Sequence, residues 1–238
     1  MVNRFYDPVM EPTLWLMVSI IFCIFAVYFI YKYRKIEPEG RSFIFGLIIF
    51  SITFAIARLI ETIRRYFYIN DYYDIVDSNF TITGINLLLR LSYYIIAWTG
   101  ITVFFFVFEK YIMEKKTKFL ITVSSSLEGI FSCLLYFTAE AFWNFTIVVI
   151  LFFGVAIVPI ILFLYLSIKG LYLSNKIAWI INTIGFLFFL LGVIGDLPES
   201  YIFVQNIPGI LLHYFNPIAE SLGAILMGIG FSIIYKNV

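Results

Sequence analysis

Charge is scarce in this chain of 238 residues: Asp, Glu, Lys and Arg make up only 13% of it, where a soluble domain carries roughly one quarter. The single histidine, His213, excludes zinc sites built from two or three imidazoles, and no metal or cofactor is expected. The two cysteines, Cys23 and Cys133, fall within apolar runs and read as small core residues rather than a disulfide framework. A net charge of +1 with no basic tail excludes the concentrated positive surface that nucleic acid requires. The opening MVNRFYDPVME lacks the basic stretch and small-residue cleavage site of a secretory signal, so the first apolar run is expected to stay in the mature chain. Alternating polarity of the kind found in transmembrane barrels is also missing.

What fills the chain instead is apolar: 62% hydrophobic residues and 21% aromatic ones. Seven runs stand out, near 12–31, 42–63, 84–108, 119–138, 143–167, 177–195 and 211–234. About 20 residues rising at about 1.5 Å each cross a hydrocarbon core of roughly 30 Å, and helices are the element that does so without leaving backbone groups unpaired. The expectation is therefore an all-α integral membrane bundle of seven transmembrane helices forming a single domain, 1–238. Lys32, Arg34, Lys35, Arg41, Lys110, Lys115, Lys116, Lys118, Lys169, Lys176 and Lys236 flank these runs on one side, and Arg4, Arg64 and Arg65 on the other. Positive residues stay cytoplasmic, so the N-terminus is expected outside and the C-terminus in the cytoplasm, with the cell membrane as location. Trp15, Trp143 and Trp179 sit at run ends, where aromatic residues meet headgroups. The fourth run is the weakest, because Glu128 near its centre costs on the order of 3 kcal/mol on insertion and four serines surround it.

Ionisable side chains inside such runs are costly and mark function when they face the bundle. Arg58 and Glu61 lie three residues apart in ITFAIARLIETIRRYF, on a helical face shared with Ser51, Ala55 and Arg65. Arg90 and Tyr94 share a face of the third run, and Ser124, Glu128 and Ser132 one of the fourth. His213, Asn216 and Glu220 share one of the last, beside Pro217. At about 1.5 Å per residue, Arg58, Glu61, Arg90 and His213 fall in the outer leaflet, with Glu128 and Glu220 near the midplane. A desolvated arginine requires a partner, so Arg58 is expected to meet Glu61, Glu128 or Glu220. The competing reading gives these charges a structural task only, fixing helix register or snorkelling to water. Gly223, Gly228 and Gly230, with Ala219 and Ala224, suggest a close-packing surface.

Seven helices with the N-terminus outside is the topology of microbial rhodopsins and of G-protein-coupled receptors, but the last run has no lysine before Lys236 to hold a retinal, and no family is indicated. No nucleophile with a base can be assembled, so an enzyme is not expected. The leading functional expectation is a receptor-like or sensory bundle. It would bind a small polar or anionic ligand between the second, third, fourth and seventh helices and signal through a separate cytoplasmic or membrane protein. The alternative is a small-solute or ion- or proton-coupled transporter using Glu128 and Glu220.

Overall fold

A computed structural model of the chain describes residues 10–67, 84–113, 117–134, 159–169, 173–195 and 209–236. Among the described residues every regular element is a helix: α1 (Met10–Tyr33), α2 (Pro38–Phe67), α3 (Gly84–Tyr111), α4 (Leu120–Leu134), α5 (Pro159–Lys169), α6 (Leu173–Gly195) and α7 (Gly209–Lys236). Stretches of α1, α2, α3, α6 and α7 are long and apolar enough to cross a membrane. The described parts of α4 and α5 are shorter. The chain is thus a multi-pass helical membrane protein, with five helices of sufficient length among the described residues where the sequence suggests seven spans. Residue contacts divide it into two compact units, one of residues 22–155 and one of residues 1–21 with 156–238.

In the first unit, α2 starts at Pro38, four residues before the apolar run begins. Proline suits an opening turn because its missing N–H has no partner to lose there. The helix then runs 30 residues, about 45 Å. Its outward face carries Phe45, Ile52, Ile56, Leu59 and Ile63, while Ser51, Ala55, Arg58, Glu61 and Thr62 are buried. This polarity is inverted relative to a soluble helix, as it must be where the solvent is hydrocarbon. α3 packs antiparallel against it: Phe43 meets Phe104 and Phe108 with ring centroids 6.3 and 6.4 Å apart, and Phe50 meets Phe104 at 5.3 Å. Glycines allow the approach. A Cβ on Gly46 would stand 2.9 Å from the Val107 Cβ, and one on Gly100 would collide with the Thr53 hydroxyl. Phe22 on α1 closes this side against Phe50 and Phe54, at 5.8 and 5.2 Å.

α4 is fixed to α3 at two levels. Gly129 receives Trp98, whose Cβ would lie 2.8 Å from an added methyl, and Ser125 reaches the Thr102 hydroxyl at 3.4 Å. At the start of α4, Lys118 and Phe119 adopt left-handed backbone angles, φ 50° and 61°. The Glu109 carboxylate accepts from the Ile121 and Thr122 amides at 3.1 and 2.9 Å, and from the Thr122 hydroxyl. A negative group over unpaired amides at a helix N-terminus is favourable on both hydrogen-bond and dipole grounds.

In the second unit, α6 and α7 form an antiparallel pair along a small-residue seam. A Cβ on Gly185 would stand 2.8 Å from the Met227 amide nitrogen, one on Gly192 2.7 Å from the Glu220 nitrogen, and one on Gly223 would strike the Phe189 backbone. Gly230 packs on the Asn182 amide. Ala219 and Ala224 are buried beside them, so the small residues of the last helix are a contact surface. Lipid tails give no hydrophobic drive to helix pairing, and close backbone approach supplies dispersion in its place. Phe163 of α5 meets Trp179 and Phe186 at 5.5 and 5.7 Å, and Trp179 meets Phe231 edge-on at 6.4 Å.

Two expectations change here. Trp15 and Trp179 are buried rather than turned to headgroups, and Trp179 packs between Phe163 and Phe231 of neighbouring helices; Trp143 lies outside the described residues. Cys23 is exposed on α1 and Cys133 partly so, so neither is a core residue. In the seam, Gly223→Ala should lower stability in detergent or nanodiscs by about 1–3 kcal/mol, because a rigid backbone faces the new methyl. Gly40→Ala meets only the flexible end of Ile36, at 3.0 Å, and should be neutral or stabilising by up to about 1 kcal/mol. Thermal unfolding of the two variants side by side checks the contrast.

Candidate functional site

The charged residues of α2 and α3 come together near the end of α2 and the start of α3, where the antiparallel register places Glu61 opposite Arg90. Glu61 is wholly buried. Its Oε1 accepts from Arg64 Nη2 at 2.7 Å, Arg65 Nε at 2.7 Å and Arg90 Nη1 at 3.0 Å, while Oε2 accepts from Arg64 Nε at 2.9 Å. One carboxylate therefore collects three guanidinium groups. The Arg64 contact is a two-point, charge-assisted clasp, the strongest geometry available to such a pair. Arg64 and Arg65 occupy the last turn of α2, where the helix dipole favours cations. Arg90 lies in the second turn of α3, past the reach of the dipole at its start, and Glu61 is its charge partner.

Tyrosines complete the arrangement. Arg90 Nη2 donates to the Tyr94 hydroxyl at 3.1 Å, and its guanidinium lies over the Tyr94 and Tyr93 rings at 5.0 and 5.6 Å. Arg58 lies over the same Tyr93 ring at 4.9 Å, with no exposed surface. Its carbonyl accepts from the Thr62 hydroxyl at 2.8 Å. Arg58, Arg64, Arg65 and Arg90 all engage further groups besides these. Guanidinium planes stack on aromatic faces and keep their edge N–H groups directed sideways, a geometry suited to carboxylate, phosphate or sulfate oxygens.

The structure thus brings Arg58, Glu61, Arg90 and Tyr94 into one buried group. Snorkelling to water does not describe these side chains, which turn inward. Arg64 and Arg65 count by position as outer flanking charge, and only Arg65 is expected on the face of Arg58 and Glu61, yet they are 1% and 4% exposed and both bound to Glu61. The signal was the spacing itself, since residues three and four after a glutamate reach its carboxylate. For Arg58 the sequence suggested a carboxylate; the contact defined here is the Tyr93 ring.

Glu128 is buried on α4. The Gly129–Trp98 contact sets it about one helical turn beyond Tyr94 along α3. Asn216 and Glu220 belong to the other unit, where both are buried on α7 and their backbone borders Gly192. The side chain of His213 lies outside the described residues, as does that of Ser132. Among the described residues no three His, Cys, Asp or Glu side chains gather as a metal set.

Glu61→Gln should be strongly destabilising, by about 3–5 kcal/mol, because it leaves three buried guanidinium groups without their shared anion. Arg65→Gln removes one of three donors and should cost less. Chemical denaturation of both variants in the same detergent gives the order, and equal losses would contradict the shared-anion geometry. No protein-family model, curated protein or solved structure matches this chain.

Proposed function

We propose that the chain is a receptor-like or sensory membrane protein of the cell membrane. In this reading it has seven spans with the N-terminus outside, and it binds a small ligand carrying an anionic or polar group at the Arg58–Arg90 cluster. The observation that carries the proposal is the convergence of two buried guanidinium groups on one tyrosine ring, Arg58 at 4.9 Å and Arg90 at 5.6 Å. Guanidinium groups held against a ring face keep edge N–H groups suited to the oxygens of an anionic or polar group. Glu61 already answers Arg90 from one side, so a ligand oxygen would add to this arrangement or compete with it. Occupancy would then bear on the α2–α3 contact, which a separate partner protein could sense.

Screening small carboxylates, phosphates and sulfates for thermal stabilisation of the protein in nanodiscs tests the reading. A selective anion should raise the unfolding temperature of the wild type, lose most of that effect in Arg58→Gln, and keep it in Tyr93→Phe, which preserves the ring. Stabilisation by no anion, or an equal shift in Arg58→Gln, would remove this function from the cluster.

A further inference from the structure

The opposite end of the first unit carries a second concentration of positive charge, organised differently. At the end of α1, Lys32 lies over the Tyr28 ring at 5.8 Å and Lys35 over the Tyr31 ring at 4.2 Å, with Lys35 also donating to the Tyr31 hydroxyl. At the start of α2, Arg41 lies over Tyr33 at 5.9 Å and donates to the Ile36 carbonyl at 3.2 Å. At the end of α3, Lys110 lies over Tyr111 at 4.9 Å and over Phe106 at 5.8 Å. Phe119 stacks on Phe106 at 5.4 Å, which brings exposed Lys118 to the same corner.

These groups occupy one level of the unit. Tyr33 meets Phe45 at 6.5 Å and Phe43 meets Phe108 at 6.4 Å, so the end of α1, the start of α2 and the end of α3 lie side by side. Tyr31, Tyr33 and Tyr111 are exposed. Among the described residues none of Lys32, Lys35, Arg41, Lys110 and Lys118 pairs with a carboxylate. Of the acids with described side chains at this level, Glu37 is exposed in the α1–α2 turn, and Glu109 is wholly buried and accepts from the amides that open α4. A ring face attracts a cation through its quadrupole and supplies no strong hydrogen-bond acceptor, so N–H donors remain for other groups.

We infer that this cation–tyrosine belt is a binding surface for anionic phospholipid headgroups. Tyrosine settles at the depth where glycerol and headgroup meet, and cations held there face the phosphates. The excess of positive over negative residues at this surface, set at the ends of membrane-length helices, matches a negatively charged leaflet in both sign and position. This surface is separate from the cluster at Arg58 and does not depend on the ligand proposed there.

The test uses the full chain in nanodiscs of phosphatidylcholine alone or mixed with phosphatidylserine or phosphatidylglycerol. Native mass spectrometry reports the retained lipid, and thermal unfolding in pure phosphatidylcholine confirms that each variant folds. Wild-type protein should retain the anionic lipid in preference to the neutral one, less so as salt rises. The pair Arg41→Gln and Lys110→Gln should weaken that preference roughly thirty-fold, the equivalent of about 1 kcal/mol per cation removed. The pair Lys35→Gln and Lys118→Gln should act similarly if the first fails to fold. No preference in the wild type, or an unchanged preference in both pairs, would overturn the inference. Complete displacement of the lipid by inorganic phosphate would overturn it too, because it would make the surface a site for free phosphate.

Discussion

A buried carboxylate cannot stand alone in a membrane bundle, and most of what is distinctive in the first unit follows from how Glu61 is answered. Moving one such ion out of water costs several kcal/mol even after relaxation. Arg64, Arg65 and Arg90 repay it at 2.7, 2.7 and 3.0 Å. Two of the donors come from the same helix and cost no long-range ordering, but Arg90 comes from α3 and so ties the register of two spans to one oxygen. Sliding α3 by a single turn would separate Arg90 from Glu61 and Arg58 from the Tyr93 ring together. The polar contact therefore specifies which residues of the two helices face each other, a task that interchangeable aliphatic side chains perform poorly.

The second unit reaches specificity by a different route. Along α6 and α7 the backbone atoms themselves are in contact, through Gly185, Gly192 and Gly223. Shape sets the register there, because glycine on one helix must meet bulk or bare backbone on the other. The seam is not wholly apolar. Asn182 is buried with neither end of its amide hydrogen-bonded among the described residues, and Asn216 Oδ1 is in the same position. Each such group costs about 1–3 kcal/mol relative to a satisfied one. Close packing along the seam has to outweigh that cost.

How much of this could be read from the sequence depends on whether local spacing or tertiary direction decides a residue's fate. The helical class, the inward face of α2 and the glycine seam all follow from periodicity, and Arg58, Glu61, Arg90 and Tyr94 were found that way. Arg64 was not, because a cation at the end of an apolar run can extend to headgroups or fold back, and flank counting assumes the first. Glu61 three residues earlier tips the choice, since a two-point clasp outweighs hydration at the boundary. Trp15 and Trp179 misled for the complementary reason: position at a run end does not say which way a ring points. Cys23 shows the same limit, as an apolar neighbourhood in the sequence can be lipid rather than core. The count of spans depends on helix length, which the described parts of α4 and α5 do not supply in full.

Two of the buried glutamates around α3, Glu61 and Glu109, tie it to its neighbours at either end. Near its start, Arg90 is held by Glu61 of α2; near its end, Glu109 holds the opening amides of α4. Between them, Gly100 and Trp98 set the spacing to α2 and α4 by contact alone. Ends are thus fixed by charge and the middle by shape. Under the reading proposed here, an anion at Arg58 and Arg90 competes with Glu61 for the same guanidinium, and it can shift the helix only by the difference in its affinity for the two arrangements. α3 carries both contacts, with Arg90 held by Glu61 towards one end and Glu109 holding the α4 amides at the other. Under the same reading, the start of α4, whose Ile121 and Thr122 amides rest on the Glu109 carboxylate, is the element of this unit on which such a shift would act.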